Sequence, residues 1–233
     1  DNFTNFRKDL FGEKEIEYVV FFNSRNIQRK HPGDTILAYK YFCDKIGPEK
    51  AKKCALVMKG EISSPHGTDL RAVRDAICDT EYVNVFFNEE RLTPEQMNML
   101  YNVADVNVLM SSNEGWGLSL TESMMSGTMI IPNTTGGMQD QSRFEDENGK
   151  WIDFDSDFPS NHRGKYKKCG EWSLPVFPSN LALMGSPLTP YIFDDRCNSE
   201  DVADRMLEAY ELGQDERNRR GLKGREWAMS DEA

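Results

Sequence analysis

The sequence is poor in the residues that build metal centres and disulfide frameworks. It has three histidines, and its five cysteines form no CxxC pair. Cys43 falls in a helical pattern and Cys54 at the start of an apolar strand, so both are expected to be buried thiols. A disulfide framework is therefore not expected, which favours a reducing, cytoplasmic location. The same scarcity gives little support to a metal cluster or a histidine-based triad, and we predict neither a metal nor a cofactor.

Basic charge and long apolar runs are also scarce. The chain has 28 Lys and Arg against 39 Asp and Glu, a formal net charge of −11. Nucleic acids and anionic membranes attract basic patches, so nucleic acid is not an expected partner, although a local basic pocket for a phosphate is compatible with this charge. No run approaches the roughly 18 apolar residues of a membrane span. Peripheral membrane contact stays open, through the basic cluster at residues 163–168.

What the sequence does contain is a regular alternation of strand-like and helix-like segments. Buried-strand patterns occupy residues 18–22, 55–58, 82–87, 106–110 and 129–131, and helical patterns lie between them. Thr93, Pro94 and Gln96 predict a capped helix start. Thr68 is expected to cap the start of the helix that lies before this one in the sequence. The alternation predicts an α/β fold, a Rossmann-like parallel sheet with helices on both faces. Ligands bind such sheets at the carboxyl ends of the strands, so the loops that follow the strands should share one rim.

The regular pattern fails after residue 144. Residues 153–195 are rich in Pro, Ser, Asp and aromatic residues and are too long for an ordinary connection. This excursion is either a structured segment over the site or a decorated loop, and both alternatives stay open. Helical periodicity returns at Ser199 and continues to Met229.

The most informative segment follows the fourth strand. Glu114 and Glu122 stand eight positions apart around the bend Gly115-Trp116-Gly117, which opens a helix near residue 117. Glycines let a backbone approach a ligand closely, and the free N–H groups of a helix start favour phosphate. Carboxylates accept hydrogen bonds from sugar or ribose hydroxyls. The segment therefore suits a nucleotide-sugar, although both acids could instead only complement the helix dipole.

Other candidate residues lie after the remaining strands. Arg25 and Lys30 follow the first strand and suit a diphosphate, unless they are only solvated cations. The further candidates, each with a plain turn or packing alternative, are Gly60 after the second strand, Arg91 and Leu92 after the third, and Gly136 and Gly137 after the fifth. Leu92 could lie against a base or act as a hydrophobic staple for the next helix.

Three of these features occur in the order seen in a known family. The segment from Ser112 to Thr128, the Arg25–Lys30 spacing and the pair Gly136-Gly137 resemble the nucleotide-sugar-binding half of the retaining, two-Rossmann (GT-B) glycosyltransferases of group 1. That family includes sucrose synthases and many lipopolysaccharide and capsule transferases. The resemblance covers about residues 17–152 and 198–230. His31 differs, since the family commonly has Gly after the Lys.

The resemblance implies a role for each matching position. Arg25 and Lys30 would hold the diphosphate and Glu114 would contact the transferred sugar, so these three are the expected catalytic residues. Donor binding would involve Glu122 on the ribose, Leu92 on the base, the amides around Trp116, Gly117 and Leu118, and the positions Gly60, Arg91, Gly136 and Gly137. The resemblance further implies that residues 1–16 are an interdomain linker and 17–233 the donor domain, with an N-terminal acceptor domain missing from this chain.

These residues lead to an expected function with two rivals. The expected function is transfer of a hexose, with retention, from a nucleoside-diphosphate sugar in polysaccharide or glycoconjugate biosynthesis. A UDP- or GDP-linked donor is favoured over an ADP-linked one. One rival is an epimerase or hydrolase of sugar-nucleotides that uses Glu114 as its acid or base. The other is a binding module without catalysis. A dinucleotide oxidoreductase is disfavoured because no GxGxxG follows the first strand.

Overall fold

The main feature of the fold is a parallel sheet with helices on both faces. A computed structural model describes residues 2–154 and 160–230. In this part of the chain the sheet has the order β3-β2-β1-β4-β5, and every neighbouring pair is parallel. Its strands are β1 (Tyr18–Asn23), β2 (Cys54–Lys59), β3 (Val85–Asn88), β4 (Val106–Leu109) and β5 (Met129–Pro132). The predicted fold class and all five predicted strands are confirmed.

The helices divide into two layers. One face of the sheet carries α1 (Asn2–Phe11) and α5 (Pro94–Val103), packed on Val19, Phe21 and Val57. The remaining α-helices of the described chain are α2 (Pro32–Ile46), α3 (Pro48–Ala51), α4 (Leu70–Ile77), α6 (Leu118–Met125), α7 (Met138–Ser142), α8 (Ser199–Glu211) and α9 (Gly213–Ala228). Residues of α2, α6 and α8 bury the opposite face of the sheet in a larger core.

The helix starts agree with the sequence in one case and differ in another. The capping box of Thr93 and Gln96 is present at the start of α5, as predicted. At the start of α4 the predicted cap, Thr68, is wrong. The Asp69 carboxylate accepts from the backbone N–H groups of Arg71 at 3.0 Å and Ala72 at 3.1 Å, because Asp69 directly precedes the first helical residue and its side chain reaches both amides.

The predicted linker is helical where the structure describes it. Residues 2–11 form α1, and the Phe11 ring contacts Phe86 edge-to-face with 5.3 Å between centroids. The first residue of the predicted linker lies outside the described residues. The role of this segment as a link to another domain stays a prediction.

The described part of the 153–195 excursion is a structured segment. Residues 172–176 run parallel to β5 beyond its free edge, where Leu174 N–H donates to the Ile130 carbonyl at 2.9 Å and Val176 N–H to Pro132 at 2.9 Å. Trp172, Leu174 and Val176 are buried in the main core. The chain then forms an antiparallel hairpin of β6 (Asn180–Ser186) and β7 (Thr189–Arg196). Residues 155–159 of the excursion lie outside the described part.

The hairpin is fixed to the rim of the sheet through Asp195. Its backbone N–H donates to the Ser112 carbonyl at 3.0 Å. Its buried carboxylate accepts from Thr135 Oγ1 at 2.8 Å and from Asn161 Nδ2 at 2.7 Å. Three separate segments therefore hold the base of the hairpin against the loops that follow β4 and β5.

His162 lies in an aromatic cluster on the same side of the molecule. Its ring centroid lies 4.5 Å from that of Phe144 and 5.5 Å from that of Phe177, and it stacks on Phe154. Only 6% of the residue is exposed. Burial lowers the pKa of His162 to about 4, because the apolar surroundings disfavour the imidazolium.

This shift predicts a pH-dependent stability. The unfolded chain, with a histidine pKa of about 6.5, binds more protons than the folded chain between about pH 6.5 and pH 4. The contribution of His162 is therefore complete above about pH 6.5 and is lost as the pH falls towards 4. The melting temperature of the wild type should fall more steeply over this range than that of His162→Phe. Parallel curves for the two proteins would contradict the assignment.

Candidate functional site

The candidate site lies at the point where the strand order reverses. β1 is flanked by β2 on one side and β4 on the other, and the segments that follow these three strands border a crevice at the carboxyl ends. A cavity of about 510 Å³ occupies this crevice, a volume within the usual range of small-molecule sites. We call it the switch-point cavity.

Eight of the twelve predicted site residues line the switch-point cavity. The three expected catalytic residues, Arg25, Lys30 and Glu114, are among them. The five others are Gly60, Trp116, Gly117, Leu118 and Glu122. The structure thus brings together residues from the loops after β1, β2 and β4, which lie up to 97 positions apart in sequence. The roles of these residues stay predictions.

Glu114 is bound to two cations. Its carboxylate forms an ion pair with Arg29 at 3.2 Å and a short hydrogen-bonded ion pair with Lys30. The side chains of Glu114 and Lys30 are 6% and 12% exposed. Burial lowers the pKa of Lys30, and the bond to Glu114 opposes this shift. Both contacts of the Glu114 carboxylate therefore hold a cation at the cavity wall.

The loops after β1 and β4 are bonded directly to each other. Residues Gln28–Lys30 form a short 3-10 turn. The Arg29 carbonyl in this turn accepts from Ser112 N–H at 2.9 Å, and the Arg29 guanidinium donates to the Asn113 carbonyl at 2.6 Å. These bonds hold Lys30 and Glu114 in register, although they come from different strands.

Gly136 and Gly137 support the Glu114 loop from behind. Gly137 N–H donates to the Glu114 carbonyl at 3.0 Å. A Cβ atom at Gly136 would lie 2.1 Å from the Glu114 carbonyl oxygen, and one at Gly137 would lie 2.1 Å from the Gly115 oxygen. Only residues without a side chain allow this approach. The pair does not line the switch-point cavity, and its contact is with the Glu114 loop.

Glu122 is held by a chain of hydrogen bonds from β1. Asn23 Nδ2 donates to the Tyr101 hydroxyl at 2.7 Å, and that hydroxyl donates to the Glu122 carboxylate in a short bond. Glu122 itself is exposed. One carboxylate oxygen is therefore fixed by the protein while the side chain stays open to a ligand.

The start of α6 offers an amide and an apolar surface. In residues 2–154 and 160–230, the Ser119 N–H in the first turn has no hydrogen-bond acceptor, as expected for a helix start. Trp116 donates from its indole N–H to Thr121 Oγ1 at 2.9 Å, which fixes the ring at the cavity wall. Leu118 is 69% exposed beside it. Polar and apolar parts of a ligand can thus be bound together.

Arg25 differs from the other two cations of the β1 loop. It is exposed, and across the described ranges it has no ion-pair partner. Its charge is therefore available to an anion. Gly60 lies below the same wall, where a Cβ atom would come within 2.4 Å of the Ser24 carbonyl oxygen.

Arg91 and Leu92 are not brought to the cavity. Arg91 is exposed. Leu92 packs with Met97 against the core beneath α1 and α5, directly before the Thr93 cap, which is the position of the hydrophobic staple. Contact of either residue with a base stays a prediction.

His31 adopts a left-handed backbone conformation, which explains why the family that this sequence resembles commonly has Gly at this position after the Lys. Its φ and ψ are 50° and 47°, in the left-handed region where glycine carries no steric cost. Its ring Nδ1 donates to Asp34 Oδ2 at 3.2 Å, and Arg196 Nη2 lies 3.3 Å from the same nitrogen. The hydrogen bond with His31 lowers the pKa of Asp34. Tertiary contacts therefore support a histidine where glycine would be easiest.

Three residues of the site were not singled out from the sequence. Arg29 pairs with Glu114, Tyr101 fixes Glu122, and Gln141 bonds both backbone groups of Gly117, accepting from N–H at 3.2 Å and donating to the carbonyl at 2.8 Å. Arg29 could have been found by its place beside Lys30. Tyr101 and Gln141 come from helices and carry no local signal.

The described residues contain no metal-ligand cluster, no disulfide and no membrane-spanning helix. No group of three or more His, Cys, Asp or Glu within them could hold a metal ion. All five cysteines are free, and Cys43 and Cys54 are buried as predicted. No helix in the described ranges combines the length and the apolar character needed to cross a membrane.

Comparisons with known proteins place this fold. The family model described as Glycosyl transferases group 1 matches residues 3–157. No curated protein matches the chain in sequence. HepE from Anabaena, solved with UDP and glucose and with UDP-glucose, has a TM-score of 0.62 and 12% identity, over 97% of this chain and 47% of its own.

Two further solved structures share the fold. Sucrose-phosphate synthase from Thermosynechococcus elongatus has a TM-score of 0.59 and 19% identity, over 97% of this chain and 43% of its own. WaaG, a glycosyltransferase involved in lipopolysaccharide biosynthesis, has a TM-score of 0.59 and 13% identity, over 99% of this chain and 48% of its own. The chain thus spans about half the length of these structures.

Proposed function

The chain belongs to the group 1 glycosyltransferases, and from this premise we propose that the switch-point cavity binds a nucleotide-sugar donor. The observation that supports this most strongly is the set of groups that face one cavity. Arg25, Arg29 and Lys30 supply positive charge, the Ser119 amide has no acceptor within the described ranges, and Tyr101 fixes the exposed Glu122. Cations and helix-start amides favour a diphosphate, and the carboxylate favours ribose hydroxyls.

The proposed chemistry uses the cations most strongly as the glycosidic bond breaks. The leaving nucleoside diphosphate then gains negative charge, so Arg25 and Lys30 stabilise the transition state more than the bound donor. Glu114, which already orients Lys30, contacts the transferred hexose in this proposal. Retention of configuration rests on the resemblance of the Glu114–Glu122 segment to the retaining enzymes.

The donor and the acceptor are further parts of the proposal. HepE was solved with UDP and UDP-glucose, which supports a UDP-linked donor here, with GDP as the next choice and ADP after it. The matched structures are about twice as long as this chain, which supports binding of the acceptor by a further domain. The five free thiols support a cytoplasmic location.

The geometry of Glu114 weighs against the first of the two rivals, the epimerase or hydrolase. An epimerase or hydrolase needs a carboxyl that exchanges protons, whereas Glu114 is engaged by Arg29 and Lys30. A module without catalysis would bind the donor and leave it intact. Product analysis by NMR separates these possibilities, because an epimer or free sugar formed without acceptor at an enzymatic rate would favour the first rival.

Donor binding can be tested by thermal melting against nucleoside diphosphates and nucleotide-sugars. A ligand at about 100 times its Kd should add roughly 2.7 kcal/mol of stability, or about 5–10 °C in melting temperature for a chain of this size. We expect this shift with UDP or UDP-sugars, and its loss in Glu122→Ala. Glu90→Ala, which removes an exposed acid after β3, is the matched control and should keep the shift. A Glu122→Ala protein that responds like wild type would contradict the proposed role.

A further inference from the structure

A second cavity lies on the other side of the Gln28–Lys30 turn. Its volume is also about 510 Å³, and it is bounded by the start of α2, by α4 and by the hairpin. Lys30 lines the switch-point cavity, and the next residue, His31, lines this one. The Gln28–Lys30 turn therefore forms a wall that the two cavities share. We call the second one the hairpin cavity.

Most of the wall of the hairpin cavity is apolar. Side chains from the β1 loop, α2, α4 and β6 contribute to it, namely Ile27, Leu37, Val73, Ile77 and Met184. An apolar surface drawn from four separate elements suits the apolar part of a small molecule, because such sites are lined mainly by hydrophobic side chains with few polar groups.

The polar groups of the cavity include the carboxylate of a buried residue, Asp194, that has no side-chain partner among the described residues. Asp194 is 6% exposed and lines the cavity. Among the described residues its side chain forms no hydrogen bond or ion pair, in contrast to Asp195, whose carboxylate has two partners. Buried carboxylates are rarely left unpaired. Asp194 thus marks a place where a ligand can donate hydrogen bonds.

The surrounding charges indicate what kind of donor this is. Arg196 lies on the same face of β7 as Asp194, two residues away, and reaches Asp34 at 3.6 Å. Asp34 also accepts from His31. Arg196 disfavours a cationic ligand and the two carboxylates disfavour an anionic one. Neutral hydroxyl groups satisfy Asp194 without either conflict.

We propose that the hairpin cavity binds a neutral glycoside with an apolar aglycone, its sugar hydroxyls on Asp194 and its aglycone between α2, α4 and Met184. The shared wall puts such a molecule next to the switch-point cavity. The binding itself does not rest on the proposed donor site.

Calorimetric titration with octyl β-glucoside, below its critical micelle concentration, tests this inference. Val73→Trp and Leu37→Trp each fill the cavity and should raise the Kd at least tenfold. Asp194→Asn should raise it several-fold. Ala72→Trp, on the exposed side of α4, is the matched control and should bind like wild type. Unchanged affinity in both filling variants would overturn the proposal.

Two further sets of titrations test the head group of the ligand and show whether the hairpin cavity binds independently of the donor site. An octyl chain on a tetraethylene glycol head, or octylammonium, should bind more weakly than octyl β-glucoside, and tighter binding of either would overturn the polyol assignment. Glu122→Ala should keep octyl β-glucoside binding, while Val73→Trp should keep UDP binding. If the chain bound the glucoside but not UDP, the donor proposal would be contradicted and the glycoside proposal for the hairpin cavity would stand.

Discussion

Replacing Arg217 by methionine should lower the free energy of unfolding by about 3–5 kcal/mol, because it leaves a buried carboxylate without its counter-ion. Arg217 Nε lies 3.0 Å from Asp105 Oδ1, and both side chains are 6% exposed. The other carboxylate oxygen of Asp105 accepts from Val19 N–H at 2.7 Å. The pair joins α9 to the amino-terminal ends of β1 and β4, whereas the site lies at the carboxyl ends of the strands.

Denaturant unfolding measures this effect and its pH dependence. Burial raises the pKa of Asp105, and Arg217 opposes that rise. Without Arg217, the pKa of Asp105 in the folded protein rises further above its value in the unfolded chain. Protonation of Asp105 then removes the cost of the unpaired buried charge, so the loss of stability should be smaller at about pH 5 than at pH 8. Arg225→Met, an exposed arginine of α9, is the control. A loss below about 1 kcal/mol at pH 8 would contradict the account.

Gly137→Ala should reduce nucleotide affinity at least tenfold and destabilise the protein by about 1–3 kcal/mol, the usual range for an overpacked site. Its Cβ atom would lie 2.1 Å from the Gly115 carbonyl oxygen and 3.2 Å from the Trp116 ring. Gly137 has a φ of −64°, which alanine adopts readily. The expected effect is therefore steric, and it acts on the loop that carries Glu114.

Gly115→Ala provides a matched comparison for this prediction. A Cβ atom at Gly115 meets nothing within 4 Å, although the residue belongs to the same contact. Titration of UDP into both variants should show weak binding for Gly137→Ala and near wild-type binding for Gly115→Ala. Equal affinities would mean that the close approach of the two loops does not control the site.

The sheet and its rim could be predicted because their signals are local. Runs of three to six mostly apolar residues mark strands, capping residues such as Thr93 mark helix starts, and alternation of the two implies a parallel sheet. Once parallel strands are assigned, their carboxyl ends must share one rim, so the sequence alone groups Arg25, Lys30, Glu114 and Glu122 there.

The contacts that organise the rim could not be predicted in this way. The bond from Tyr101 to Glu122 joins two helices, and the contact of Arg29 with Asn113 joins loops that are 84 positions apart. No periodicity or residue spacing in the sequence indicates either contact. The same holds for Asp195, whose partners come from three segments, and hence for the structured course of the 153–195 excursion.

The most direct test of the central claim is a chemical-shift map of UDP binding, recorded by NMR on the labelled chain. We expect UDP to perturb the amides of residues 23–30 and 114–122, which border the switch-point cavity, and to leave those around Asp105 and Arg217 unchanged. Perturbations confined to any other part of the chain, or none at saturating UDP, would contradict the assignment of the switch-point cavity as the donor site.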